Sequence, residues 1–233
     1  MGSRLEEDDL PAGQSAIDDF PRFGVPAFAD RWPQMPDEPT LTISGLVETP
    51  FTLELGTLAS LPRAEIVADF HCVTTWTSKG LRWGGYRLAE VLDRIVAPRA
   101  RPAAAARYLG FLSLDGYRIC IDRRDVDAST LLADRLDGEP LSLEHGAPLR
   151  VIAPALYGYK SAKHLRGIEF LADYRRGRAE RQTLAHPRGR VAYEERGRFL
   201  PGWVYRRIYR ALVPSTLAHF ERAAARRQQG PAD

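Results

Sequence analysis

The chain has two thiols, Cys72 and Cys120, and the first sits where a site is easily housed. From Arg63 to Cys72 the sequence alternates. Ile66, Ala68, Phe70 and Cys72 fall on one side, and Glu65, Val67, Asp69 and His71 on the other. A period of two predicts a strand with Cys72 on its apolar face, at its end. The alternation then stops. Thr74, Thr75, Thr77, Ser78, Lys79 and Gly80 read as a polar loop closed by Trp83-Gly84-Gly85. Loops held at the ends of strands commonly carry chemistry. The simpler alternative is a small buried hydrophobe, the usual role of a lone cysteine on a strand. A cysteine hydrolase is disfavoured, because adjacent strand residues face opposite ways and His71 cannot easily serve Cys72 as base. Cys120, within Tyr117-Arg118-Ile119-Cys120-Ile121, reads as inert packing.

A second cluster follows. Glu144-His145-Gly146-Ala147-Pro148-Leu149-Arg150 leads into Tyr157-Gly158-Tyr159-Lys160-Ser161-Ala162-Lys163. Gly146 and Gly158 permit tight backbone turns close to a ligand. Arg150, Lys160, Lys163, His164 and Arg166 gather positive charge around Ser161. Cations, a hydroxyl and backbone N–H groups together suit a phosphate. A solvated basic loop is the alternative on charge alone.

The two blocks, Asp69-Phe70-His71-Cys72-Val73-Thr74-Thr75-Trp76 with Trp83-Gly84-Gly85 and then the Gly146 to Lys163 stretch, resemble the sulfite oxidase-type molybdopterin-binding domain. More narrowly, they resemble its small bacterial members and the methionine sulfoxide reductase catalytic subunit. The resemblance runs from about Phe20 to Arg196. It implies a molybdenum oxidoreductase that moves an oxygen atom to or from a small sulfur-containing substrate, with sulfoxide or N-oxide reduction as the alternative direction. A non-catalytic cofactor-binding module is the alternative of another class. The cofactor implied is Mo-molybdopterin, one molybdenum with one pterin dithiolene. Carried over by position, Cys72 is the metal ligand. Ser113, His145, Arg150, Ser161, Ala162 and Lys163 contact the pterin. His145 stands where the sulfoxide reductases have Asn, and Thr74 where they have Glu. Trp76, Trp83 and Tyr157 are candidate pocket walls. No haem or iron–sulfur motif is visible, so a separate electron-transfer protein is expected.

Several elements must position these residues. Leu41 to Val47 and Phe51 to Leu55 read as strands, and Thr57 to Leu61 as a helical turn. Leu88, Val91, Leu92 and Ile95 recur at helical spacing and predict an amphipathic helix ending before Pro98. Tyr108 to Leu114 and Tyr117 to Ile121 flank the hairpin signal Asp115-Gly116, and Asp137-Gly138 marks a second turn after Leu131 to Arg135. Leu149 to Ala153 and Gly167 to Ala172 are further strands. Strands dominate without regular βαβ alternation, which predicts an α+β fold, a mixed-sheet domain with a basic C-terminal helical extension. The expected division is an extended wrap over 1–40, a catalytic domain over 41–173 and an Arg-rich extension over 174–233. That extension reads as one or two helices broken at Pro214, packed on its own domain, with a basic face able to meet a membrane or an acidic partner.

The chain of 233 residues is 44% hydrophobic, enough for one ordinary core. A net charge of +3 gives no reason to expect nucleic-acid binding. Met1 to Leu10 is acidic and lacks an apolar signal core, so a cytoplasmic location is expected.

Overall fold

A computed structural model describes residues 9–228, so most of the acidic N-terminal segment, 1–8, lies outside the described residues. The chain begins with β1 (Ser15–Ile17), β2 (Thr40–Gly45), β3 (Phe51–Glu54), β4 (Ala64–His71) and β5 (Trp76–Arg87). A helical stretch follows: α1 (Leu88–Val91), a π-helical turn (Leu92–Val96) and α2 (Ala97–Ala100). Then come β6 (Tyr108–Ser113), β7 (Arg118–Asp122), β8 (Leu131–Leu136), β9 (Glu139–Pro140), β10 (Arg150–Ile152) and β11 (Leu165–Leu171). Two helices close the chain, α3 (Arg178–Thr183) and α4 (Gly202–Gln228).

The strands form two sheets. One has the order β1-β5-β8-β10, with β4 also on β5 and β9 on β8; the other has the order β3-β2-β11-β6-β7. Leu88, Val91 and Val96 pack with Leu41, Phe111, Val151 and Ile168 in one buried cluster, so the helical stretch and both sheets share a core. The alternation before Cys72 is realised. Ile66, Ala68 and Phe70 pack against the second cluster, around Trp83 and Leu131, while Val67 is 68% exposed.

The structure departs from the sequence expectations at four places. The loop predicted over Thr74 to Gly80 is mostly strand. β5 starts at Trp76 and pairs with β4 on one side, while β1 lies parallel on the other, with Ser15 opposite Trp76. Thr77 and Ser78 are polar yet buried between those neighbours. The helix does not stop before Pro98 but runs to Ala100 and ends at Arg101, with φ +47°. Proline lacks the N–H and crowds the carbonyl four residues back; the wider π-turn just before it shifts that register. The third is β1, a strand paired into a sheet within the segment expected to be an extended wrap over the surface. The fourth is α4, one 27-residue helix that passes through Pro214. Pro214 is exposed, and the inner face is held by buried Tyr205, Tyr209, Phe220 and Ala223, so one missing hydrogen bond does not break it. No described helix is long and apolar enough to cross a membrane.

Gly85 shows why the Trp83-Gly84-Gly85 motif ends in glycine. A Cβ there would run into the Leu132 carbonyl oxygen at the register shift between β5 and β8. Gly85→Ala is expected to cost about 1–3 kcal/mol through backbone displacement. Urea unfolding checks this, and an unchanged midpoint would contradict it.

Candidate active site

The turn from β4 to β5 is Cys72–Thr75, and it is closed by its own backbone. Cys72 N donates to Trp76 O at 2.8 Å, and Thr75 N donates to Cys72 O at 3.2 Å. Thr75 takes φ +85°, a conformation a β-branched residue adopts only when its surroundings enforce it. Two distant side chains supply that enforcement. Gln14 Nε2 donates to Cys72 O at 3.0 Å, and Thr77 Oγ1 donates to Gln14 Oε1 at 3.3 Å. Arg196, fully buried, donates from Nη1 to Val73 O at 2.7 Å and from Nη2 to Ala12 O at 2.8 Å. Its Nε holds Glu194 Oε1 at 3.1 Å. His71 Nδ1 lies 2.9 Å from Thr77 Oγ1, so the neighbouring imidazole is committed to that hydroxyl.

The Cys72 thiol is 8% exposed and stands 3.1 Å from Thr74 Oγ1. Burial pushes its pKa up to about 11; the Thr74 hydroxyl and the Arg196 charge pull against that rise. Only a thiolate alkylates readily. Iodoacetamide labelling of Cys72 in cofactor-free protein is therefore expected to be slow at pH 7 and to rise about tenfold per pH unit towards the pKa. Rapid labelling at pH 7, read by mass spectrometry, would contradict this.

The second cluster is assembled by β10 and the turns around it. Arg150 is fully buried. Its Nη1 donates to His145 O at 2.7 Å, while Nε and Nη2 have no partner. Its guanidinium lies 4.9 Å from the centre of the Trp83 ring. Burial pulls its pKa down to about 9. Lys163 Nζ donates to Glu144 O at 2.7 Å, and burial, Arg150 and Arg22 hold its pKa well below the ordinary value. These cations crowd one another with no carboxylate bonded to them among the described residues, which an arriving anion would relieve. His145 and His164 are each driven down to about 4 by burial.

A cavity of about 350 Å³ joins the two clusters; Cys72, Thr74, Trp76, Arg150, Ser161 and Lys163 all line it. The other site residues read from the sequence, Ser113, His145 and Ala162, do not line the cavity. Ser113 is buried with an unpartnered hydroxyl. His145 stacks on Phe20 at 4.9 Å, with Nδ1 unpartnered. Ala162 is buried, and its carbonyl accepts from Val151 N at 2.8 Å. Trp83 and Tyr157 are core residues, so of the three candidate walls only Trp76 lines the cavity. Lys160 corrects the basic cluster. It is buried against Glu180 at 3.2 Å, with further bonds to the Cys120 carbonyl and the Tyr174 hydroxyl, and it fastens the C-terminal segment to the domain.

Residues 29–179 match the oxidoreductase molybdopterin binding domain family. The chain is 35% identical over 186 residues to the uncharacterized oxidoreductase YuiH of Bacillus subtilis, covering 77% of this chain and 87% of that one. It is 28% identical to a sulfite oxidase of Arabidopsis thaliana, covering 59% of this chain and 43% of the relative. It is 30% identical to the protein-methionine-sulfoxide reductase catalytic subunit MsrP of Campylobacter jejuni, covering 57% of this chain and 49% of the relative. The chain thus spans under half of the latter two relatives. The sulfane dehydrogenase SoxCD of Paracoccus pantotrophus shares the fold, with TM-score 0.53 and 21% identity over 68% of this chain and 45% of that one. With an α+β architecture and a family match that spans most of its length, the chain belongs to the sulfite oxidase-like molybdopterin-binding oxidoreductases.

Proposed function

We propose that the cavity takes one molybdenum with one pterin dithiolene, that Cys72 donates its thiolate to the metal, and that the bound cofactor carries out oxygen-atom transfer on a small sulfur-containing substrate. The observation that carries this reading is the continuous cavity from the Cys72 thiol to the buried, partly unpartnered Arg150 guanidinium. The residues fit such a group. A thiolate is a soft donor suited to molybdenum ligation by sulfur, and Arg150, Lys163 and the Ser161 hydroxyl suit a phosphate end. His145, whose carbonyl accepts from Arg150, offers an unpartnered Nδ1 beside that end, and Ser113 keeps an unpartnered buried hydroxyl on β6. The protein's share of the work is positional. Gln14 and Arg196 fix the carbonyls of Cys72 and Val73 and so hold the thiol at one place. Thr74 Oγ1 offers a hydrogen bond to the sulfur, which tunes a thiolate donor. Phe23, Trp76 and Phe220 give the same cavity an apolar wall, which limits water at the transfer.

Electrons go to or come from a separate protein in this reading. Arg207 and Arg210 are exposed beside Trp203 on the outer face of α4 and make no ion pair among the described residues. That composition suits an acidic partner or an anionic membrane. The test uses protein made in a cofactor-competent host. Molybdenum near one per chain is expected, with turnover of sulfite plus ferricyanide or of a sulfoxide plus a reduced dye. Molybdenum-free protein would overturn the reading. Rates with an acidic electron carrier should fall with salt; salt-independent rates would remove the role given to the basic face.

A further inference from the structure

Much of the cavity's outer wall comes from outside the stretch that the family model matches. The match covers residues 29–179. Phe23 and Phe28 from the N-terminal wrap, and Tyr209, Leu212, Thr216 and Phe220 from α4, line the same cavity as Cys72. The segment 22–32 and α4 are fastened to each other. Phe220 is buried with Ala29 and Ala223 and stacks on Phe23 with ring centres 6.2 Å apart. The Arg22 guanidinium lies 5.2 Å from the Phe220 ring. Arg226 holds Asp30 at 2.5 Å, and Arg227 lies 4.2 Å from the Trp32 ring. The wall also reaches the thiol. Phe23 packs edge-on to Trp76 at 5.5 Å. Tyr209 and Cys72 line the same cavity, and Tyr209 is held by its hydroxyl donating to Thr183 O at 2.8 Å.

We infer that this wall selects the substrate, and that it favours an organic sulfur compound bearing an apolar substituent over a bare inorganic oxyanion. The inference rests on the oxygen-transfer reading and narrows it. Ring faces and hydrocarbon reward a substituent that leaves water. They give nothing to a bare oxyanion, which loses hydration there. In the reductive direction the balance is simple. The S–O bond of the sulfoxide breaks, two electrons come from a reduced dye and two protons from solvent, and the products are a thioether and water.

The test compares methyl phenyl sulfoxide with dimethyl sulfoxide on the full-length, molybdenum-loaded protein. The phenyl compound is expected to have the higher kcat/KM, by roughly tenfold or more. Phe220→Ala removes part of the wall and should shrink that ratio severalfold. Leu212→Trp should shrink it too, by crowding; Leu212 is half exposed at the rim, so this variant tests the wall even if Phe220→Ala fails to fold. A direct readout is the thermal shift given by methyl phenyl sulfone, expected to be larger for the wild type than for either variant. A ratio and a shift unchanged in the variants would overturn the inference. So would turnover of sulfite with neither sulfoxide accepted, although that outcome leaves molybdenum-dependent oxygen transfer standing. Protein free of molybdenum would overturn both.

Discussion

Cys72→Ser is expected to fall in turnover by more than about 100-fold, beyond the 10- to 100-fold that losing an outer partner of a metal ligand costs. A serine oxygen is a harder donor than a thiolate and gives the metal less electron density. The fold should survive, because the turn is held by backbone bonds from Cys72 N and O and by Gln14, none of which involves sulfur. Steady-state assays normalised to folded protein check this. A variant that keeps a tenth of its activity would show that the thiol is packing.

Arg150→Met is expected to stabilise the cofactor-free protein and weaken its hold on the cofactor. The guanidinium is fully buried, with one hydrogen bond and two unpartnered nitrogen positions. Replacing an imperfectly compensated buried charge with a hydrophobe of similar length is neutral to stabilising. A gain of about 1–2 kcal/mol corresponds to a rise of about 2–8 °C in Tm for a chain of this size. The Trp83 ring beneath the guanidinium gives up a cation–π contact but keeps apolar cover. Loss of one or more charge-assisted hydrogen bonds to a phosphate should lower cofactor affinity roughly 10- to 100-fold. Calorimetry of cofactor-free protein and molybdenum retained after gel filtration read the two effects separately. A lower Tm with full retention would make Arg150 a structural residue.

The two ends of the candidate site stand out in the sequence because each is a local pattern. Alternation put Cys72 at a strand end, and the Gly146 to Lys163 stretch brought Arg150, Ser161 and Lys163 together within a few turns. The parts it concealed are bonds between remote segments. Gln14 meets Cys72 across 58 positions, and Arg196 meets Val73 across 123 and Ala12 across 184. Neither residue stands in a run that signals such a role. Thr77 and Ser78 looked like loop because their polarity is satisfied by neighbours on both sides of β5, one of them the short β1. Pro214 looked like a break because local propensity says nothing of the packing of Tyr209 and Phe220 that carries α4 past it. Lys160 looked like a phosphate ligand until Glu180, twenty positions on, appeared beside it.

X-ray absorption at the molybdenum edge of the loaded protein addresses the Cys72 thiolate directly. The expected result is a sulfur shell of two dithiolene atoms plus one more, with the third lost in Cys72→Ser. A shell of two sulfurs in the wild type, or one unchanged by the substitution, would contradict ligation by Cys72.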